Sequence, residues 1–67
     1  MTQKEQVIHH LKQKGAITSW EAIQEYGITR LSAKIFDLRK DGYKIKSTTI
    51  TKRRGTRVIT FARYELM

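Results

Sequence analysis

Four glycines punctuate this chain and no proline does. Gly15, Gly27, Gly42 and Gly55 each follow a run with one dominant periodicity. Glycine takes a left-handed backbone conformation without the steric cost that a Cβ brings, so such residues mark places where a helix stops or a hairpin turns. Any fold for these 67 residues has to fit its elements between those four marks.

The runs before the first three marks are helical. Thr2 and Glu5 have capping-box spacing, the hydroxyl placed to accept from the amide three residues on and the carboxylate to reach back. Val7, Ile8 and Leu11 then form an apolar stripe, which predicts a helix over 3–14 closed by Gly15. Ala16-Ile17 is a short apolar step, one or two residues of strand. Thr18 and Glu21 repeat the capping box, predicting a helix over 19–26 closed by Gly27. Its inner side uses Ala22, Ile23 and Tyr26, with Trp20 flanking, and both aromatics are expected to fill the core against the next helix. Thr29 reads as a third cap, before a helix over 30–41 whose Leu31, Ile35 and Leu38 share one stripe.

Past Gly42 the character changes. Residues 43–52 and 56–64 are rich in β-branched and aromatic side chains and alternate in part, as strands do. Between them lies KRRGTR, Lys52 to Arg57, with Gly55 supplying a turn. The prediction is an α+β domain spanning 1–67, three helices followed by a two-stranded antiparallel hairpin. With no cysteine, a chain this short has neither disulfide nor thiolate metal site to hold it and must fold by packing alone.

Charge is distributed unequally. The three lysines and three glutamates of residues 1–29 cancel, so the whole net charge of +8 lies in residues 30–67. A folded domain with such an asymmetry presents one positive surface, which suits a polyanion and above all nucleic acid. Two short helices joined by a glycine turn, the second with its own start signal, make a helix-turn-helix, and a basic hairpin behind it makes a wing.

The residues from Ile17 to Ile45, ITSWEAIQEYGITRLSAKIFDLRKDGYKI, carry a resemblance. They look like the small winged-helix proteins of bacteriophages and prophages, whose pattern is EA-x-x-x-(F/Y)-G-I-T-R-L-S-A followed by L-R-x-x-G-Y. The close match covers about two-fifths of the chain. It implies a winged helix-turn-helix that binds double-stranded DNA, as a transcriptional regulator or an excisionase-like architectural factor.

On that plan the outer face of the third helix reads bases, through Thr29, Arg30, Ser32, Ala33 and Phe36. Arg30 can donate two bonds to guanine, while Ala33 or Phe36 can touch a thymine methyl. Phe36, at the edge of the apolar stripe, is equally placed to pack against the hairpin or a partner, and both readings stay open. Lys34, Arg39 and Lys40 on the flanks, with Lys52, Arg53, Arg54 and Arg57 on the wing, suit phosphates, and the wing is placed on the backbone or in a minor groove. A domain this small buries few base contacts, so a dimer or tandem copies on adjacent sites are expected.

Other classes find little support. The six carboxylates are scattered, no nucleophile–histidine pattern occurs and there is no phosphate-binding glycine loop, so neither catalysis nor a small-molecule substrate is expected. His9-His10 points its two rings about 100° apart, with no carboxylate evident nearby, which argues against a metal. No cofactor is expected. No uncharged run exceeds six residues, as in Gly15 to Trp20, and Ser47 to Thr51 is mostly polar, so no membrane association is expected; with the phage resemblance the location is read as the bacterial cytoplasm. A reading of another class is a protein-interaction module that clamps an acidic partner.

Overall fold

The computed structural model describes residues 2–67. Helix α1 (Gln3–Lys14) opens on Thr2, whose hydroxyl accepts the Glu5 amide at 3.1 Å while the Glu5 carboxylate accepts the Thr2 amide at 3.3 Å. Helix α2 (Ser19–Tyr26) opens the same way on Thr18, where the two bonds are 3.1 and 3.0 Å. Each box satisfies two amides that the first turn leaves without helical partners, which is why both helices start where the sequence says. Gly15 and Gly27 close them in the left-handed conformation.

The third helix departs from expectation at its start. Helix α3 (Leu31–Lys40) has Arg30 as its N-cap, with no side-chain cap bond, so Thr29 is not a cap. The buried Ile28, held by its amide on the Ala22 carbonyl at 3.0 Å, anchors the turn one residue before Thr29. The helix therefore starts one residue too late for the Thr29 hydroxyl to serve it.

Ala16–Thr18 forms a true strand, β1, so the sheet has three strands rather than the two of a lone hairpin. The others are β2 (Ile45–Arg54) and β3 (Arg57–Leu66), in the order β1-β3-β2 and antiparallel throughout. β1 pairs only the base of β3, from Ala16 with Glu65 to Thr18 with Arg63. The β2–β3 ladder runs on alone from Ile45 with Leu66 out to Arg54 with Arg57. This ribbon is the wing, and it gives a small domain a longest dimension of 40 Å.

The core lies between the helices and the base of the sheet. Val7 and Leu11 of α1, Ile17 of β1, Ala22 of α2, Ile28, the α3 stripe of Leu31, Ile35 and Leu38, and Ile45 and Tyr64 from the sheet are buried together. Burying one large apolar side chain contributes roughly 1.5–3 kcal/mol, so this cluster carries the stability of a chain without cysteine. Two expected members are absent from it. Trp20 remains 48% exposed and Ile23 43% exposed, because α2 turns only Ala22 fully inward and aims Trp20 at the wing.

Tyr26 packs on the edge of the core, and its hydroxyl lies 2.8 Å from Nδ1 of the buried His10. Burial, reinforced by the charges of Glu25 and Glu21, holds the Tyr26 phenol above its ordinary pKa. The same two glutamates stand 3.3 and 3.5 Å from the His10 ring nitrogens, so carboxylates do lie near this histidine, contrary to the sequence reading. His10 is thus a polar tie between α1 and α2. No cluster of three or more ligand-type side chains is placed to hold a metal among the described residues.

Candidate nucleic-acid interface

The three buried positions of α3 fix what its outer face offers. At 100° per residue, Ala33 and Lys40 lie opposite the Leu31, Ile35, Leu38 stripe, with Phe36 beside them. Ser32, Ala33, Phe36 and Lys40 are all exposed. Phe36 is 57% exposed, which removes it from the core. Its ring lies beneath the Lys40 ammonium, 4.7 Å from the nitrogen, so an apolar surface and a cation are presented together on the outward face. Lys34 is half-buried on the flank.

Thr29 and Arg30 are exposed at the head of the helix. The Ala33 amide bonds the Arg30 carbonyl at 3.2 Å, and no side chain caps the first turn. Free amides and an exposed guanidinium therefore stand together at the positive end of the helix dipole, an arrangement that favours an anion. The turn before it follows from Gly27, whose φ of +66° lets the chain reverse within two residues while its amide bonds the Ile23 carbonyl at 3.0 Å.

Arg39 has a structural engagement. Its Nε and one Nη both donate to the Ile45 carbonyl, at 3.2 and 2.8 Å, pinning the last turn of α3 to the first residue of β2. The side chain thereby sets where the wing leaves the helical body. The same end of α3 is tied to α1 as well, since the Lys4 ammonium donates to the Asp41 carboxylate, which raises the lysine's pKa.

The wing differs from a charged loop. Only Gly55 and Thr56 form the turn, Gly55 with φ of +60° and Thr56 with negative φ, the signs of a type II′ hairpin that takes glycine first. Lys52, Arg53 and Arg54 are strand residues for that reason, paired with Ile59, Val58 and Arg57. Alternation then puts Lys52, Arg54 and Arg57 on one face of the ribbon and Arg53 on the other. All four are exposed, and Arg54 sits directly across from Arg57. Like charges so placed destabilise a hairpin, a cost that an anion removes.

The sequence reading missed what else lies on the face of Lys52, Arg54 and Arg57. Ile59 and Phe61 face away from the core side of β3 and line a groove with Trp20. A signal was present: β3 carries apolar residues at both parities, Ile59 and Phe61 against Ala62 and Tyr64, as a strand covered on two faces does.

Three helices, a glycine turn before an outward cationic helix and an antiparallel ribbon define a winged helix-turn-helix. A family model described as "Winged helix-turn-helix domain" matches residues 2–67, and the chain belongs to that family. No curated protein and no solved structure matches it. The family is a DNA-binding fold, and among the described residues no helix is long and apolar enough to cross a membrane.

Proposed function

We propose that this protein binds double-stranded DNA with sequence preference, α3 entering the major groove and the wing lying on the backbone beside it. Arg30, Ser32, Ala33 and Phe36 meet base edges, with Thr29 at the entry. Lys34, Lys40, Lys52, Arg53, Arg54 and Arg57 meet phosphates. Arg39 adds its remaining donors to that set while holding the wing in place. The observation that carries the reading is the Arg54–Arg57 pair, two exposed cations held face to face at the tip of a ribbon that already carries Lys52 and Arg53.

Electrostatics supplies most of the affinity and α3 the preference. The biological setting that fits is a phage or prophage transcriptional regulator or excisionase-like factor, acting on DNA in the bacterial cytoplasm as a dimer or as tandem copies. No step of this role requires catalysis, a cofactor or a small-molecule substrate. Selection of bound sequences from a random duplex pool tests it directly. A palindromic or tandem motif is expected; recovery of no motif, with binding that ignores salt, would sink the reading.

A further inference from the structure

Strand β3 has two apolar faces, and only one belongs to the core. Ala62, Tyr64 and Leu66 pack inward, whereas Ile59 and Phe61 point to the opposite side of the strand. There they form one wall of a groove of about 470 Å³, together with Lys52 and Arg54 of β2. The other wall is Thr18 with Trp20, Glu21 and Gln24 of α2. No base-reading residue of α3 lines it.

Two further features say what such a groove accepts. First, β1 pairs β3 only at residues 63–65, so residues 57–62 are laddered to β2 alone and leave their other edge without a strand partner. An unpaired edge beside a helix is a template for adding an extended chain. Second, the charge around the groove is positive. Against two cations the lining has one carboxylate, Glu21, and that one is engaged, with Oε1 accepting the Thr18 amide at 3.0 Å and Oε2 lying 3.5 Å from His10. Lys52 and Arg54 have no ion-pair partner among the described residues.

We propose that this groove binds an extended acidic peptide of a partner protein, which adds as a strand along the free edge of β3. One apolar side chain of the peptide seats between Trp20, Ile59 and Phe61, and its carboxylates meet Lys52 and Arg54. A second copy of this chain is disfavoured as occupant, since each copy brings a charge of +8. A nucleic-acid backbone has no apolar group for the floor and makes no use of a strand edge. The proposal does not rest on the DNA reading, because its anchor, Trp20, is not part of that interface, but Lys52 and Arg54 serve both, so peptide and duplex compete for them.

The test uses the full chain and a short peptide alternating glutamate and leucine, blocked at both ends, beside a control with lysine for glutamate. Trp20 is the only tryptophan, so its emission reports the groove alone. Binding of the acidic peptide should change that emission and shift the amides of Thr18 to Gln24 and Val58 to Ala62. It should also slow hydrogen exchange along residues 57–62. Trp20→Ala should weaken binding by roughly thirtyfold, as loss of a central aromatic anchor does. Because Trp20 is half exposed and outside the buried core, this variant should keep the fold at a modest cost in melting temperature, and core amide signals like the parent's separate lost contact from lost fold.

Lys52→Glu with Arg54→Glu should abolish acidic-peptide binding and admit the lysine control. Equal shifts over Arg30 to Lys34 would mean unspecific attraction to the basic half and overturn the proposal. Equal binding of both peptides to the parent, or groove shifts that depend on protein concentration without peptide, would overturn it as well. So would a single-stranded oligonucleotide that moves the groove amides when the acidic peptide does not.

Discussion

The Arg54–Arg57 pair permits a prediction with opposite signs in two assays. Replace Arg54 by glutamine, which keeps length and polarity and removes the charge. Directly opposed side chains have Cβ atoms about 5 Å apart, and flexible guanidiniums relax to about 7 Å, where two charges repel by about 0.6 kcal/mol in water. Screening at physiological salt leaves about 0.2–0.3 kcal/mol. Arg54→Gln should therefore unfold no more readily than the parent in urea, with a slight gain. In DNA binding it should lose one phosphate contact, which lowers the slope of log affinity against log salt by about 0.9. Over a fourfold rise in salt the variant's deficit should then shrink by about 3.5-fold, as anisotropy titrations of a labelled duplex at several salt concentrations would show. A deficit constant across salt would refute the phosphate assignment. A deficit confined to one sequence would instead place Arg54 in a minor groove.

Three further outcomes follow from other parts of the molecule. Arg30→Ala should flatten the sequence preference by about 1–3 kcal/mol without touching the melting temperature, checked by comparing preferred and scrambled duplexes. Arg39→Ala should cost about 1–3 kcal/mol of unfolding free energy by stripping the Ile45 carbonyl of both donors, whereas Lys40→Ala should cost little; equal melting of the two would deny the pinning role. Glu5 titrates below the ordinary glutamate range, first because it accepts from the Thr2 amide and then because it accepts from the Thr2 hydroxyl. Its stabilisation is therefore complete above the ordinary value and is lost as pH falls through the lowered one; an acid melt of Glu5→Gln should lack that component.

What was legible in the sequence was local. Capping boxes at Thr2 and Thr18 are closed by bonds within four residues, and Gly15, Gly27 and Gly55 act through their own φ, so these signals survive any tertiary context. The Thr29 error shows the limit of the same logic. A threonine before an apolar stripe is a cap only if the helix begins on the next residue, and here the burial of Ile28 decided otherwise. Trp20 was misread for a similar reason. Its size argues for burial, but its neighbour is β3, forty residues away in sequence, and no local pattern says which of two walls a flanking aromatic will face. On α3 the expected exposure of Ser32 and Ala33 follows directly from the stripe, because three buried positions on a helix leave only one opposite face, whereas Phe36, left open between packing and exposure, is decided by the structure.

The basic run Lys52 to Arg57 shows how turn chemistry can assign function. Read as a loop, its four cations would form one undirected cloud. A two-residue turn at Gly55-Thr56 extends the ladder through them, and the period of two then separates Arg53 from Lys52, Arg54 and Arg57. Lys52 and Arg54 share a ribbon face with Ile59 and Phe61, so the groove inherits its charge from the same alternation that arms the tip. An insertion of one residue between Arg54 and Gly55 would lengthen the turn, favouring a bulge or a slipped register. If the register slips by one residue on the β2 side, Lys52 and Arg54 pass to the other face and Arg53 replaces them, opposite Ile59. Duplex binding, which draws on all four cations, should then largely survive, while the Trp20 groove loses one of its two charges. Undiminished acidic-peptide binding in the groove after the slip would show that the cations act as a cloud after all.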